Sequence, residues 1–402
     1  MTRCLLAFLV LTAAAAQEPA VFREIGRATK ELAEISGLET RKPVPYELID
    51  RNRVEKFLRE RMREVIKPEE IRAEEITLKK FGFVPREFNL EQSTIELLTE
   101  QAAAFYDFKK KKLFLTDWAS SDMQESALVH ELAHALADQH FDLDKFTKGA
   151  GESDDSALAR MAVMEGQATW LMSEVFARRN GSTLIGNPAL AESMNRASES
   201  GAEQYPVFSG SPLYLKETLV FPYAKGLLFQ QAVADRMGKE GFTEVFRRPP
   251  TTSQQILHPE KYFDRVQPSV PDLPRMPGRG FKTLTKGMFG ELDCQILIRQ
   301  YASRERAETL APLWRGGQYH VREYRKKGLV VLSLAVDWQT QEAAEEFFAF
   351  YRNLLAQKWT RLDVTDESAT RLTGRGDDGY FEVTRDGSVV RSVEGLERPA
   401  AR

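Results

Sequence analysis

The segment LVHELAHALADQH, residues 128–140, contains three of the five histidines of this 402-residue chain. Leucines recur through it at every fourth position, which is the spacing of one face of an α-helix. Residues four apart on a helix lie about 40° apart around its axis, so His130 and His134 point in nearly the same direction. The spacing therefore predicts a helix over residues 122–139 that presents two imidazoles side by side.

Two neutral imidazoles in this arrangement can bind one Zn²⁺, with each nitrogen at about 2.0–2.1 Å from the ion. Glu131 is rotated off the line of His130 and His134, where its carboxylate can reach a zinc-bound water and act as a general base. A surface helix with unrelated histidines is the competing interpretation. The neighbouring residues in ALVHELAHAL are small or aliphatic, which favours a buried helix with a metal site of one Zn²⁺ per chain.

A catalytic zinc requires a third protein ligand, and the sequence offers two candidates. His140 has the spacing of the pattern HExxHxxGxxH, but Ala137 stands where that pattern has its turn glycine. In a continuing helix His140 is rotated by about 240° from His134, away from the metal. Glu165 lies in the apolar run RMAVMEGQATW, a predicted helix in which an unpaired carboxylate is costly. We favour Glu165 as the ligand and His140 as a residue that supports the site.

A helix with HExxH followed by a helix that supplies Glu resembles the gluzincin metallopeptidases, the thermolysin-like group. That likeness covers about residues 100–180 and implies a zincin-like fold and peptide hydrolysis. The segments AAAFYDFKKKKLFL, HELAHALADQHFDLD, VMEGQAT, FPYAKGLLF and QQILHPEKY more closely resemble an uncharacterised family of bacterial and archaeal secreted proteins with HELxHAxxDQHFDL. This second likeness runs from about residue 70 to the C-terminus, and Gln167 departs from it, because that family more often has an acidic residue there.

The likeness to gluzincins implies roles for residues outside the motif. It implies an edge strand that pairs with the backbone of a peptide substrate, formed here by Ala103, Ala104, Phe105 and Tyr106. Asp138 resembles an acidic position that follows the motif and, with His140, is expected to support the metal ligands. Gluzincins stabilise the oxyanion of the transition state with a His or Tyr from a later segment. Tyr223 in FPYAKG and His258 in ILHPEKY are the two candidates for this catalytic role.

The rest of the chain predicts an α+β protein built in several parts. Short apolar runs on both sides of KKKK predict a β-hairpin, and a later helical run is expected to break at Pro222. Strand-like runs, an amphipathic helix and a predicted hairpin turn at Asp386-Gly387 near the end indicate a smaller α+β module. The predicted parts are a signal peptide at 1–16, a helical N-terminal segment at 17–100, a mainly helical zincin-like catalytic domain with a small β-sheet at 101–265, a Pro-rich linker at 266–280 and the C-terminal module at 281–402.

The opening MTRCLLAFLVLTAAAAQEP has the basic residue, apolar run and small residues of a signal peptide. Cleavage after Ala16 predicts a periplasmic or extracellular protein that begins at Gln17 and has one cysteine, Cys294, and hence no internal disulfide. The net charge of −3 indicates no nucleic-acid partner, and KKKK is interpreted as a solvated turn. No later run of 18 apolar residues is present, so no membrane span is expected.

These features predict an exported zinc metallopeptidase that acts on a peptide or protein substrate, with Glu131 as general base. Two alternatives remain open. One is a zinc-binding envelope protein that keeps the fold without cleaving, and the other is a self-acting or chaperone-like factor of the envelope. The intact Glu131 favours the enzyme, because a protein that has lost catalysis has no chemical need for the base.

Overall fold

The computed structural model of the chain describes residues 20–65, 67–151 and 153–399. The predicted signal peptide, residues 1–16, lies outside this part of the chain. Helices and two β-sheets confirm the α+β class. The helices are α1 Ile25–Ser36, α2 Arg51–Val65, α3 Pro68–Phe81, α4 Leu90–Gln101, α5 Ser121–Phe141, α6 Leu143–Lys148, α7 Asp154–Arg179, α8 Pro188–Ala202, α9 Pro206–Gly210, α10 Leu213–Met237, α11 Gly241–Arg247, α12 Ser253–Leu257, α13 Pro259–Phe263, α14 Glu291–Tyr301, α15 Arg304–Leu310 and α16 Gln341–Lys358. The strands are β1 Tyr46–Ile49, β2 Ala104–Asp107, β3 Lys112–Thr116, β4 Lys282–Met288, β5 Trp314–Tyr324, β6 Leu329–Trp338, β7 Leu362–Glu367, β8 Arg371–Gly376, β9 Gly379–Asp386 and β10 Val389–Leu396.

The motif helix α5 confirms the helix predicted over residues 122–139 and extends slightly beyond it at both ends. It begins after Ser120, whose side chain accepts a hydrogen bond from the N–H of Met123, as N-cap residues do. It ends at Asp142, which has a left-handed backbone conformation. The middle of α5 is buried, which places the histidine pair inside the molecule.

The smaller sheet has the strand order β1-β3-β2. β2 and β3 form the predicted antiparallel hairpin, and Asp107 accepts hydrogen bonds from two N–H groups of the lysine turn between them. β1 pairs with β3 in parallel, so the prediction that residues 17–100 are wholly helical was wrong. The run KPVPYELID explains the difference, because Pro43 and Pro45 disfavour helix and lead the chain into an extended conformation.

Helix α10 corrects a second expectation. The sequence predicts a break at Pro222, but α10 runs unbroken through it from Leu213 to Met237. A proline inside a helix removes one backbone hydrogen bond and crowds the preceding turn. Here the flanking residues Phe221 and Ala224 are buried in the core, and their packing holds the helix together across the proline.

The larger sheet has the order β4-β5-β6-β10-β9-β8-β7, and all of its neighbouring strands are antiparallel. It contains the predicted hairpin at Asp386-Gly387, and α16 packs on it. The predicted linker has no regular structure, but it is tied to this sheet. The N–H of Ser269 donates to the carbonyl of Arg315, and the hydroxyl of Ser333 donates to the carbonyl of Pro274.

The apolar core does not follow the predicted domain boundaries. Residues of α3, α7, α10, α14, α16 and the larger sheet form one cluster, in which Phe81 stacks on Phe289 at 5.0 Å between ring centroids. A second cluster joins α1, α5, β2 and β3 to α7 and α10. The segment 266–280 therefore separates two sequence patterns, but the first apolar cluster includes residues on both sides of it. No helix of the described residues is long and apolar enough to cross a membrane.

Candidate metal centre

Three side chains from α5 and α7 converge on one point. Nε2 of His130 and Nε2 of His134 lie 3.1 Å apart, and each lies 3.1 Å from Oε2 of Glu165. Among the described residues, this is the one set of three potential ligands whose donor atoms fall within 4.8 Å of one another. We call these residues the triad. The structure therefore brings Glu165, and not His140, to the histidine pair.

The separations within the triad match the chemistry of a shared cation. Ligands at about 2.0–2.2 Å in a tetrahedral arrangement lie about 3.3 Å from one another. Hydrogen bonds alone account poorly for three equal contacts, because each imidazole has one nitrogen at this point and a neutral nitrogen cannot both donate and accept. The donor set of two imidazoles and one carboxylate is also one that Zn²⁺ uses in catalytic sites.

Close packing of two helices brings Glu165 to this position. The backbones of α7 and α10 meet at Gly166 and Gly226, where a Cβ at either position would overlap backbone atoms of the other helix. Because it has no Cβ, Gly166 permits this close approach of the α10 backbone. Glu165 is next to one glycine, and Tyr223 lies one helical turn before the other. The glycine contact therefore sets the distance between these two side chains.

We expect Gly226→Ala to lower the free energy of unfolding by about 1–3 kcal/mol or more, since the added methyl meets the carbonyl oxygen of Ala162 and not a movable side chain. Urea denaturation followed by circular dichroism measures this change. Gly26→Ala in α1 is the matched control, because a Cβ there meets no atom within 4 Å. It is expected to be neutral or to stabilise by roughly 0.5–1 kcal/mol. Equal stability of the two variants would show that the helices separate without cost.

The electrostatics of the triad follow from burial and close contact. Burial alone would lower the pKa of His134, but the charge and hydrogen bond of Glu165 outweigh it and raise that pKa to about 9. Burial alone would raise the pKa of Glu165, but the two histidines hold that pKa well below the usual range. Burial raises the pKa of Glu131, against the opposing effect of the histidines. The centre thus favours a positive charge in contact with Glu165.

Glu131 faces the small sheet. Its carboxylate lies near enough to the backbone N–H of Tyr106 in β2 for that group to lower its pKa. Glu131 is not a member of the triad, so its oxygens lie outside the group of three converging donor atoms. The structure thus places a carboxylate between the histidine pair and the edge of the sheet.

Strand β2 is an edge strand of the small sheet, as the likeness to gluzincins implies. The carbonyl of Ala103 accepts from the N–H of Thr116, so residues 103, 105 and 107 pair with β3 through their backbones. The backbone groups of Ala104 and Tyr106 consequently point to the free edge. The side chain of Phe105 faces away from α5, where it stacks on Phe114.

Asp138 holds this strand against the motif helix. Its carboxylate is buried and accepts hydrogen bonds from the hydroxyl of Tyr106, the ammonium of Lys111 and the N–H of Leu143. It makes no direct hydrogen bond to the triad among the described contacts, although its charge contributes to raising the pKa of His134. Lys111 is therefore not only a solvated residue of the turn KKKK, because its ammonium group pairs with Asp138. Sequence reasoning missed this contact, which connects two segments that are far apart in the chain.

His140 lies on the outer side of α5, as its rotation along the helix predicts. Its Nε2 is 2.7 Å from the carbonyl oxygen of Glu39, in the segment that follows α1. The neighbouring Gln139 also bonds this segment through the backbones of Arg41 and Lys42. His140 thus attaches the N-terminal segment to the end of the motif helix and does not support the triad.

The two candidate oxyanion donors lie in different places. The ring of Tyr223 stacks on that of His130 at 6.0 Å between centroids. The charge of Glu165, followed by burial and the charge of Glu131, raises the pKa of the Tyr223 hydroxyl well above its usual range. Tyr223 therefore belongs to the centre.

The prediction for His258 is corrected. Its Nε2 lies 2.7 Å from Oε1 of Glu291 at the start of α14. The first residue of α12, just before it, donates to Asp155 at the N-terminal end of α7. Glu165 lies ten residues further along α7, about 15 Å away at the helical rise. His258 is therefore paired with the buried carboxylate of Glu291, near the larger sheet.

The described residues form an α+β protein with a two-histidine, one-glutamate centre at the meeting of α5, α7 and α10. Residues 231–402 match a family model described as a domain of unknown function (DUF8575). This match begins within α10 and covers the larger sheet, and it contains none of the triad residues. No curated protein and no solved structure matches the chain.

Proposed function

We propose that the protein is a zinc-dependent metallopeptidase of the zincin type, with the triad as its metal site and Glu131 as its general base. The observation that carries the proposal is the convergence of His130, His134 and Glu165 at mutual distances of 3.1 Å. An HExxH helix, a second helix that supplies Glu and a small sheet with a free edge are the parts of a gluzincin site. All three parts meet here around one point.

Zinc bound by the triad would supply a Lewis acid and lower the pKa of a water to about 7. The chain supplies the remaining functions. Glu131 lies beside the triad and accepts a proton from the attacking water, then carries it towards the leaving amine. The apolar residues around α5 exclude bulk water and strengthen each of these polar contacts.

The free edge of β2 is the proposed binding surface for the peptide. Backbone groups of Ala104 and Tyr106 point to that edge and can pair with an extended chain, as added strands do. The N–H of Tyr106 is near enough to the carboxylate of Glu131 to lower its pKa, so a peptide bond held at Tyr106 would lie near the base. Asp138 keeps the strand in register with the motif helix through the Tyr106 hydroxyl. Recognition by backbone groups favours unfolded or extended segments as substrates.

We expect Tyr223→Phe to lower kcat by at least about tenfold with little change in KM, because the hydroxyl is placed to stabilise charge that develops in the transition state. Zinc content, measured by inductively coupled plasma mass spectrometry, should not change. Tyr380→Phe in β9 is the control for loss of a tyrosine hydroxyl elsewhere. His258→Ala should reduce stability and leave kcat unchanged. If Tyr223→Phe keeps the wild-type kcat, another donor must stabilise the oxyanion.

The proposed location is the periplasm or the extracellular space. We expect protein recovered from the envelope or medium of its native host to begin at Gln17, as read by mass spectrometry of its N-terminal peptide. Cys294 is buried, and it should titrate as a single free thiol only after denaturation. An intact Met1 on that protein would contradict export by signal-peptide cleavage.

The deciding experiment compares the zinc-loaded chain with Glu131→Gln on an unfolded protein substrate. Products are identified by mass spectrometry, so that cleavage at defined peptide bonds is distinguished from degradation by a contaminant. New termini that form with the wild type and not with the variant support a peptidase. Identical products from both chains would refute the proposed role of the triad and its base.

A further inference from the structure

A second polar site lies in a cavity of about 480 Å³ between α3, α4, α7, α10 and the larger sheet. This volume falls within the roughly 300–1,000 Å³ that is usual for sites that bind small molecules. Five aromatic rings contribute to its wall. They belong to Phe81, Phe83, Tyr214, Phe289 and Tyr319.

The lining is acidic and has no compensating charge. Among the residues that line the cavity, none is Lys, Arg or His. Six carry carboxylates: Glu70, Glu74, Glu91, Asp154, Asp155 and Asp293. Glu70, Glu91 and Asp154 are exposed, whereas Glu74, Asp155 and Asp293 are half-buried or buried. Carboxylates of the second kind, without a cation, repel one another and lose hydration. The lining therefore favours an occupant with positive charge.

Several of these acids have structural partners. Asp155 accepts from the N–H of Ser253, Asp293 accepts from the N–H of Gly290, and Asp154 accepts from the hydroxyl of Tyr319. These three carboxylates help to join α7 to α14 and the larger sheet. Their contacts explain their presence without a ligand, so they contribute charge and do not by themselves define a site.

Glu74 and Tyr214 are different, because the fold gives their polar atoms no partner. Neither the carboxylate of Glu74 nor the hydroxyl of Tyr214 makes a hydrogen bond or ion pair with the described residues. Both line the cavity, on α3 and α10. Burial, reinforced by the charge of Asp154, raises the pKa of Glu74 to about 7. An unpartnered carboxylate and an unpartnered hydroxyl from two different helices are groups that a ligand can satisfy.

The carboxylates do not converge as ligands of a metal ion would. Among the described residues, only the triad brings three potential ligand atoms within 4.8 Å of one another. Aromatic faces beside dispersed carboxylates suit an organic cation instead, because such a cation interacts with the rings and spreads its charge over several donors. The carboxylates and the aromatic rings of the lining thus both favour an organic cation.

One lining residue of the cavity lies near the triad along α7. Met161 lines the cavity and is 45% exposed. Glu165 lies four residues further along α7, on nearly the same face and about 6 Å along the helix axis. A long side chain of a peptide held at the triad is therefore about one helical turn from the nearest lining residue on α7.

We propose that this acidic cavity binds an organic cation, a guanidinium or alkylammonium group carried on a short alkyl chain. Such a group can come from a free amine. It can also come from an Arg or Lys side chain of the peptide held at the triad, in which case the cavity selects substrates with a basic residue near the cleaved bond. The second source rests on the proposed peptidase function, and the first does not.

Calorimetric titration of the full chain with n-butylguanidinium tests the cavity directly, at pH 8, where Glu74 is ionised. Its uncharged isostere n-butylurea is the matched ligand. We expect butylguanidinium to bind at one site at least tenfold more tightly than butylurea, and Glu74→Gln to remove that difference. Tyr214→Phe should weaken binding as well. Glu69→Gln removes an exposed carboxylate from the same helix and should have no effect.

Equal affinity for the two ligands, or equal affinity of wild type and Glu74→Gln for butylguanidinium, would overturn the proposal. Thermal unfolding of each variant separates a lost site from a lost fold. Because this measurement needs no turnover, its outcome stands whether or not the chain cleaves peptides.

A set of peptides with Arg or citrulline at each position distinguishes the two sources. A preference for Arg of at least tenfold in kcat/KM at one position, absent in Glu74→Gln, assigns the cavity to the substrate. Calorimetric binding without such a preference assigns it to a free amine. Absence of all cleavage refutes the proposed function and leaves the calorimetric result to decide the cavity.

Discussion

Replacing Glu131 with Gln is expected to reduce kcat/KM for peptide cleavage by about 10²–10⁴-fold, the usual contribution of a general base. The amide keeps the shape of the side chain, and its oxygen can still face the N–H of Tyr106. It cannot accept a proton from the attacking water at neutral pH. Because Glu131 is not one of the three converging ligands, the variant should retain its zinc.

The measurement combines initial rates on a fluorogenic peptide with metal analysis of the same samples. Asp122→Asn, an exposed carboxylate at the start of α5, is the matched control and should cleave at the wild-type rate. A Glu131→Gln chain that cleaves as fast as wild type would assign the activity to another mechanism or to a contaminant. Zinc bound to a wild-type chain that cleaves nothing would favour the alternative of a zinc-binding envelope protein.

Removal of any triad ligand is expected to empty the metal site. The purified chain should hold about one zinc, and His130→Ala, His134→Ala and Glu165→Ala should each lose it at the same protein and metal concentrations. Loss of a direct ligand should exceed the 10–100-fold loss of affinity that follows removal of a residue supporting a ligand. The wild type should also gain thermal stability on addition of zinc, because a ligand bound only by the folded state stabilises it.

His140→Ala is the control for the loss of a histidine from α5. Its imidazole contacts the carbonyl of Glu39 and not the triad, so the variant should keep its zinc and lose only local stability. Zinc lost from His140→Ala and retained in Glu165→Ala would reverse the choice between the two candidate ligands. Retention of zinc in all four variants would place the metal elsewhere in the chain.

The parts of the fold that could be predicted are those with local causes. The spacing of His130 and His134 on a helix of small and aliphatic residues was enough to predict α5 and the direction of its imidazoles. The apolar runs on both sides of KKKK were enough for the hairpin, because a short turn brings its two strands side by side. The Asp386-Gly387 turn was predicted on the same basis. Each of these features depends on residues within a few positions of one another.

The errors arose because the predictions used local patterns, whereas contacts with distant residues decided these parts of the fold. Residues 17–100 were expected to be helical because charged, amphipathic patterns dominate them, and the short strand β1 is stabilised by β3, which lies much later in the chain. Pro222 was expected to end a helix because intrinsic propensity opposes proline in a helix interior. Burial of α10 on both sides of that residue outweighs the propensity.

The sequence by itself determined the histidine pair, its carboxylate and the short list of possible partners. Only the tertiary structure decided among those partners. Glu165 was preferred to His140 on helical rotation and burial cost, but its approach to the histidines depends on the contact of Gly166 with Gly226. The same contact brings Tyr223 to the triad, while Glu291 holds His258 elsewhere. The acidic cavity joins Glu74 and Tyr214 from helices far apart in the chain. Local spacing specifies which way a side chain points along its own helix, and only the packing of distant helices specifies what it meets there.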